Sequence, residues 1–116
     1  MELQRSQQHG VTVIRVNQEV RKEGWFAHKL KSLYSSLPQA ERRYLTIDLT
    51  GTDYIDSSCL SVLIEMLHTA VSLGGCLAIA GLNESTRQIL HMTRLDRVIP
   101  VFLDVDTAIR ELTQAA

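Results

Sequence analysis

The sequence predicts an α/β domain, in which a mixed, mostly parallel sheet of four to five strands packs with about four helices. Short β-branched or apolar runs alternate with longer amphipathic segments, the order that sets parallel strands side by side. Two strand patterns joined by a turn open the chain and predict one antiparallel edge. The length of 116 residues suits one compact unit, so a single domain is expected over residues 1–116.

The composition argues against several classes of partner. The 12 Lys and Arg residues are balanced by 13 Asp and Glu residues, and aromatic residues make up 5%, so no nucleic-acid surface is expected. No apolar run reaches the roughly 18 residues that cross a bilayer, and the N-terminus lacks the apolar core of a secretion signal. A cytoplasmic protein without direct membrane insertion is predicted. Cys59 and Cys76 form no Cys-x-x-Cys pair and are expected to be inert core cysteines.

The first part of the chain predicts a hairpin followed by a helix. A weak strand over residues 2–7 and a turn at His9-Gly10 precede a β-branched strand from Val11 to Val16. From Val20 to Leu37 apolar residues recur every three or four positions, which predicts a helix that Pro38 ends. These recurring residues are Phe26, Leu30, Leu33 and Leu37.

The middle of the chain predicts a strand, a loop and the longest helix. Residues 44–49 alternate, with Leu45, Ile47 and Leu49 expected on one face of the sheet. After a loop, Asp56 is expected to cap a helix that ends near Leu73, with Gly74-Gly75 as its stop signal. The apolar side of this helix is predicted to carry Leu60, Leu63, Ile64, Met66, Leu67, Ala70 and Val71. The polar stripe is predicted to carry Ser61, Glu65, His68 and Ser72.

The last part of the chain predicts two more strands, each followed or preceded by a helix. Cys76 to Ala80 is a buried strand, and a short helix is expected from Asn83 or Glu84 to Met92. Val98 to Phe102 is predicted as the last strand. Asp104 is then expected to cap a terminal helix.

Ser57 and Ser58 lie where the longest helix begins, after the loop that follows a strand. Amide groups at a helix start lack intrahelical partners and the helix dipole is positive there, so a phosphate on Ser57 would meet favourable groups. That phosphate would add roughly 1.5 to 2 negative charges beside Asp53 and Asp56. Two interpretations stay open from the residues alone: the serines are good helix-starting residues, or Ser57 is a modification site that a partner reads.

The sequence contains none of the common catalytic or metal-binding motifs. The four His residues show no metal-site spacing, and the chain has no Gly-x-Ser-x-Gly elbow and no phosphate-binding glycine loop. Asp48 at a strand end invites comparison with a response-regulator acceptor, but the acidic pair expected near the end of the first strand is missing, because Arg15, Val16 and Asn17 stand there. We therefore predict no enzyme activity, no cofactor and no metal site.

The order of these segments resembles the STAS domain family, and within it the bacterial anti-sigma factor antagonists. The resemblance rests on a strand ending in Asp48-Leu49, the motif Tyr54-Ile55-Asp56-Ser57-Ser58-x-Leu60, an amphipathic helix, Gly-Gly and an apolar strand. Residues 89–99 are similar to the family's third helix and the turn into its last strand. Together these segments cover the chain from about Val11 to the C-terminus.

This resemblance implies a partner-switching regulator of transcription. The unphosphorylated form would bind an anti-sigma serine kinase of the GHKL type and thereby free a sigma factor. The kinase would phosphorylate the first serine after the aspartate, here Ser57, and release the protein. The resemblance places the partner-binding surface at Asp53, Asp56, Ser57, Ser58 and Cys59, with a PP2C-type phosphatase as a further partner.

Two departures from the family pattern keep an alternative open. Cys59 stands where the family usually has glycine, and Asn17 to Val20 replaces the usual turn before the first helix. A STAS scaffold subunit of a transport or signalling complex, without phosphorylation, would fit these departures. A small-ligand-binding domain that uses the loops at the carboxyl edge of the sheet is a third hypothesis.

Overall fold

The strands lie side by side in the sheet in the same order as they occur in the sequence. The computed structural model describes residues 3–16, 25–51, 55 and 57–115. The strand order is β1-β2-β3-β4-β5, in which β1 pairs antiparallel with β2 and the other neighbours are parallel. The strands are β1 (Leu3–Gln8), β2 (Val11–Val16), β3 (Tyr44–Asp48), β4 (Cys76–Ala80) and β5 (Val101–Phe102). The predicted α/β class, with its antiparallel edge, is confirmed.

Helices lie on both faces of this sheet. They are α1 (Trp25–Ser36), α2 (Ser57–Ser72), α3 (Glu84–Met92) and α4 (Val105–Ala115), and short 3-10 turns occupy Gln39–Arg42 and Leu95–Arg97. The predicted start of the first helix at Val20 falls outside the described residues. Side chains of α1, α2 and α3 share one core with Leu45, Ile47 and Ile79. On the opposite face, Ala108, Ile109 and Leu112 of α4 pack against Val11, Val13, Ala78 and Ala80.

The longest helix presents a different buried stripe from the one that the sequence predicts. Its buried residues are Cys59, Val62, Leu63, Met66 and Ala70. Val71 was predicted on the apolar side, but it is 58% exposed. Val71 lies about 100° round the helix from the buried Ala70 and in the last turn of α2, which ends at Ser72. Leu60, Ile64 and Leu67 lie within about 40° of Val71 round the helix but in earlier turns, and they are half-buried.

The turn after α2 satisfies the last carbonyl groups of the helix. The Gly75 amide donates to the Ala70 carbonyl at 2.8 Å, and the Gly74 amide donates to the Val71 carbonyl at 2.9 Å. Gly74 has a φ of 82°, so these bonds form a Schellman motif with glycine in the left-handed position. The predicted stop signal at Gly74-Gly75 is confirmed.

The last strand is shorter than predicted. Residues 98–102 were expected to form it, but only Val101–Phe102 pair as β5. A 3-10 turn precedes this strand, and the Ile99 amide donates back to the Leu95 carbonyl at 2.8 Å. Pro100 has no amide hydrogen to give to a neighbouring strand, so regular pairing begins after it. Among the described residues, no helix is long and apolar enough to cross a membrane.

Candidate functional site

Ser57 is the first residue of α2 and is exposed to solvent. Ser58 follows it and is also exposed, while Asp53 and Asp56, including the predicted cap at Asp56, lie outside the described residues. The Ser61 hydroxyl donates to the Ser57 carbonyl at 3.2 Å, one turn further along the helix. The Ser57 side chain is therefore accessible at the positive end of a 16-residue helix.

Buried apolar residues hold the chain on both sides of Ser57. Ile55 is 2% exposed and Cys59 is fully buried, and both belong to the core between the sheet and α2. The Cys59 side chain thus packs inward and adds no bulk to the exposed surface around Ser57. Of the predicted contact residues that are described, Ser57 and Ser58 face solvent, whereas Cys59 supports them from beneath.

Asp48 forms a second polar feature, at the end of β3. Its Oδ2 accepts a hydrogen bond from Arg15 Nε at 2.9 Å, and its Oδ1 accepts from the Thr50 amide at 3.0 Å and from Thr50 Oγ1 at 2.6 Å. Burial by itself would raise the pKa of Asp48. The hydrogen bonds from Thr50 and Arg15, with the positive charge of Arg15, outweigh burial and hold that pKa below its ordinary value. A carboxylate so enclosed is a structural anion rather than an exposed phosphoacceptor.

The Arg15–Asp48 pair was not foreseen from the sequence. Arg15 was noted only because it replaces an acidic residue expected of a response regulator. In the sheet, however, Arg15 is the register partner of Asp48 across the parallel β2–β3 pairing. Opposite charges on adjacent strand ends are a usable signal, but only once the register of the two strands is known.

A polar groove of about 670 Å³ lies beside this ion pair, on the α4 side of the sheet. Its lining includes Gln4, Arg15, Thr50 and Asp106. The small-ligand hypothesis for this edge of the sheet stays a prediction. Within the described ranges, no group of three His, Cys, Asp or Glu side chains is arranged to hold a metal ion.

Comparison with known proteins decides the family. The family model described as STAS domain matches residues 2–108 of the chain. The chain belongs to the STAS domain family. The resemblance predicted from the Asp56-Ser57-Ser58 motif is thereby confirmed, and the observed five-stranded mixed sheet with four helices is the fold of its structural neighbours.

Individual relatives of this STAS domain carry related descriptions. A protein of Thermotoga maritima, described as a candidate anti-sigma factor antagonist, is 26% identical over 103 residues, which is 88% of this chain and 89% of the relative. A crystal structure of a candidate anti-sigma factor antagonist from Thermotoga maritima has a TM-score of 0.84 at 24% identity, covering 96% of this chain and 94% of that one. The Bacillus cell fate determinant SpoIIAA, in its phosphorylated form, has a TM-score of 0.71 at 13% identity, covering 95% and 98%.

Proposed function

We propose that this STAS domain is an anti-sigma factor antagonist that acts by partner switching and performs no catalysis itself. Unphosphorylated, it binds an anti-sigma serine kinase of the GHKL type in the cytoplasm. Phosphorylation of Ser57 by that kinase releases it, and a PP2C-type phosphatase restores the binding form. The observation that carries the proposal is the exposed Ser57 at the first position of α2, in a chain whose relatives are described as anti-sigma factor antagonists.

The physical basis of the switch is the charge that phosphorylation adds. The positive dipole at the start of α2 favours a negative charge at Ser57, so we expect the modified protein to stay folded. In a complex, the same dianion would lose solvent and would add to the negative charge that Asp53 and Asp56 bring to the adjoining sequence. For every 1.4 kcal/mol or so of this penalty, the affinity for the kinase falls about tenfold. Modification can therefore separate the partners without unfolding either one.

Substitution at Ser57 tests the proposal. The wild-type chain serves as bait in a native lysate, and a captured serine kinase is purified and incubated with the chain and ATP. Mass spectrometry is expected to find one phosphate, on Ser57. By calorimetry, Ser57→Asp is expected to weaken kinase binding at least about tenfold, because it fixes a negative charge at the contact, while Ser57→Ala binds like wild type.

Ser72→Asp is the matched control. Ser72 is also an exposed serine of α2, but it lies at the other end of the helix, roughly 22 Å away at 1.5 Å per residue. Binding by this variant is expected to match wild type. If Ser57→Asp also binds normally, or if the phosphate appears elsewhere, partner switching at Ser57 is wrong. A captured transporter subunit in place of a kinase would instead support the scaffold hypothesis.

A further inference from the structure

Asp48 is the one carboxylate among the described residues that the fold buries, with 1% of its surface exposed. Burying a carboxylate costs free energy unless hydrogen bonds and an opposite charge replace its water. An apolar side chain at the end of β3 would avoid that cost. The bonds that Asp48 makes therefore indicate what the charge contributes.

Among the described residues, three hydrogen bonds reach Asp48, and two of them come from the chain that leaves β3. The Thr50 amide and the Thr50 hydroxyl both donate to Oδ1 of Asp48. The bond from the Thr50 amide, two residues after Asp48, forms an Asx-turn. The third bond comes from Arg15, at the end of the neighbouring strand β2. Asp48 thus joins the start of the β3–α2 connection to the sheet.

Gly81 closes the same cluster from the other side. It follows β4 with a φ of 74°, and a Cβ at this position would collide with Thr50 Oγ1 and crowd Asp48 Oδ1. The Leu49 amide also donates to the Ala80 carbonyl at 2.9 Å. The place of Thr50 is therefore set by the ends of three adjacent strands.

We propose that Asp48 is a positioning residue for the Ser57 site. Through Thr50 it fixes the point at which the chain leaves β3, while the buried Ile55 fixes the chain two residues before Ser57. Ser57 then occupies one defined position when the kinase binds, instead of several alternative positions. This role in partner recognition rests on the function proposed above, but the positioning itself is open to measurement without any partner.

Substitutions at Thr50 test the positioning with a matched pair. Thr50 is exposed, and Thr50→Val keeps its shape but removes the hydroxyl, whereas Thr50→Ser keeps the hydroxyl. In ¹⁵N relaxation, the order parameters of the Ile55 and Ser57 amides are expected near 0.85 in wild type and Thr50→Ser, and closer to 0.6 in Thr50→Val and in Asp48→Ala, which removes the acceptor. The Ile79 amide, in the middle of the sheet, should stay rigid in all four proteins. Unchanged values at Ile55 and Ser57 would overturn the positioning role.

Kinetics with the purified kinase tests the consequence for recognition. Thr50→Val and Asp48→Ala are expected to lower kcat/KM for Ser57 phosphorylation about tenfold, a loss within the range that misplaced reacting groups cause. Thr50→Ser is expected to have the kcat/KM of wild type. Melting temperatures are recorded alongside, because a role in folding alone would lower them and leave kcat/KM unchanged at a temperature where every variant is folded. That result would overturn the recognition role. If relaxation changes as expected while no kinase modifies wild-type Ser57, the positioning stands and the proposed function fails.

Discussion

At the scale of single residues, the site combines a buried anion with an exposed hydroxyl. Asp48 remains ionised inside the fold because donors from Arg15 and Thr50 replace the water that it loses. Ser57, nine positions later, keeps its side chain in solvent. The first arrangement ties Thr50 to the end of β3, and the second leaves a hydroxyl accessible at the start of α2.

The buried carboxylate predicts a loss of stability in acid. The pKa of Asp48 in the folded chain is lower than its ordinary value of 3.8, so its contribution is complete above about pH 5 and is lost as the pH falls through the lowered pKa. Urea unfolding of wild type from pH 7 to pH 2 should show this loss. Asp48→Asn should be less stable by about 2 kcal/mol at pH 7 and should flatten the acid limb of the curve.

Arg15→Gln provides the second arm of that experiment. Removing the cation raises the pKa of Asp48, so the acid loss of stability should begin at a higher pH than in wild type. A variant whose curve coincides with that of wild type would show that the ion pair has no role in acid stability.

At the scale of secondary-structure elements, periodicity predicted the existence and type of each one better than its boundaries. Alternation in residues 44–49 indicated a strand and the three-to-four spacing in α2 indicated a helix, and both elements are present. The patterns did not fix burial: Thr46 and Asp48 are buried on the second face of the strand. The length of the last strand was overestimated because the apolar residues of this segment belong to two different structures. Ile99 is buried next to the 3-10 turn, whereas Val101 and Phe102 pair in the sheet and are half-buried, and a sequence pattern does not separate these two kinds of environment.

The candidate site was predicted in the same uneven way. Local signals were enough to place Ser57 at the start of α2, because a cluster of Asp and Ser before an amphipathic run is a local feature. The Asp48 cluster depends on the register between β2 and β3, which pairs residues 33 positions apart in the sequence. Such a contact follows from the assembled sheet, and no local pattern contains it.

The turn after α2 predicts a graded response to alanine. In Gly74→Ala the added Cβ makes only an ordinary van der Waals contact, 3.8 Å from Arg43 Nη2, but the alanine must adopt a positive φ, which costs about 1 kcal/mol. In Gly75→Ala the Cβ collides with the Arg43 carbonyl oxygen, the atom that accepts the Cys76 amide hydrogen bond at 2.9 Å. We expect a loss of about 2 to 3 kcal/mol, measured by urea unfolding. Equal losses in the two variants would contradict this account.

At the scale of the whole molecule, the sheet divides the interior into two cores that differ in accessibility at their cysteines. Cys59 lies fully buried in the core beneath α2, whereas Cys76 is half-buried on the α4 side. Burial raises the pKa of the Cys76 thiol, which reduces its thiolate fraction near neutral pH. The prediction of inert core cysteines is consistent with the burial of Cys59, and Cys76 is the more accessible of the two.

Thiol labelling can therefore report how the molecule opens. In Cys76→Ser, reaction of Cys59 with an aromatic disulfide reagent at pH 7.5 should be at least about a thousandfold slower than in 6 M urea, because Cys59 is reached only when the fold opens. In Cys59→Ala, the remaining Cys76 should react at an intermediate rate. Fast labelling of Cys59 under native conditions would show that α2 separates from the sheet without global unfolding.

The spatial order of the strands has a consequence for how the protein is made. Each strand pairs with the one synthesised just before it, from the opening hairpin to β5. A growing chain on the ribosome therefore always presents a finished edge to the segment that emerges next, and no strand must be inserted between two that already pair. The domain can be assembled from its first residue to its last, in step with translation.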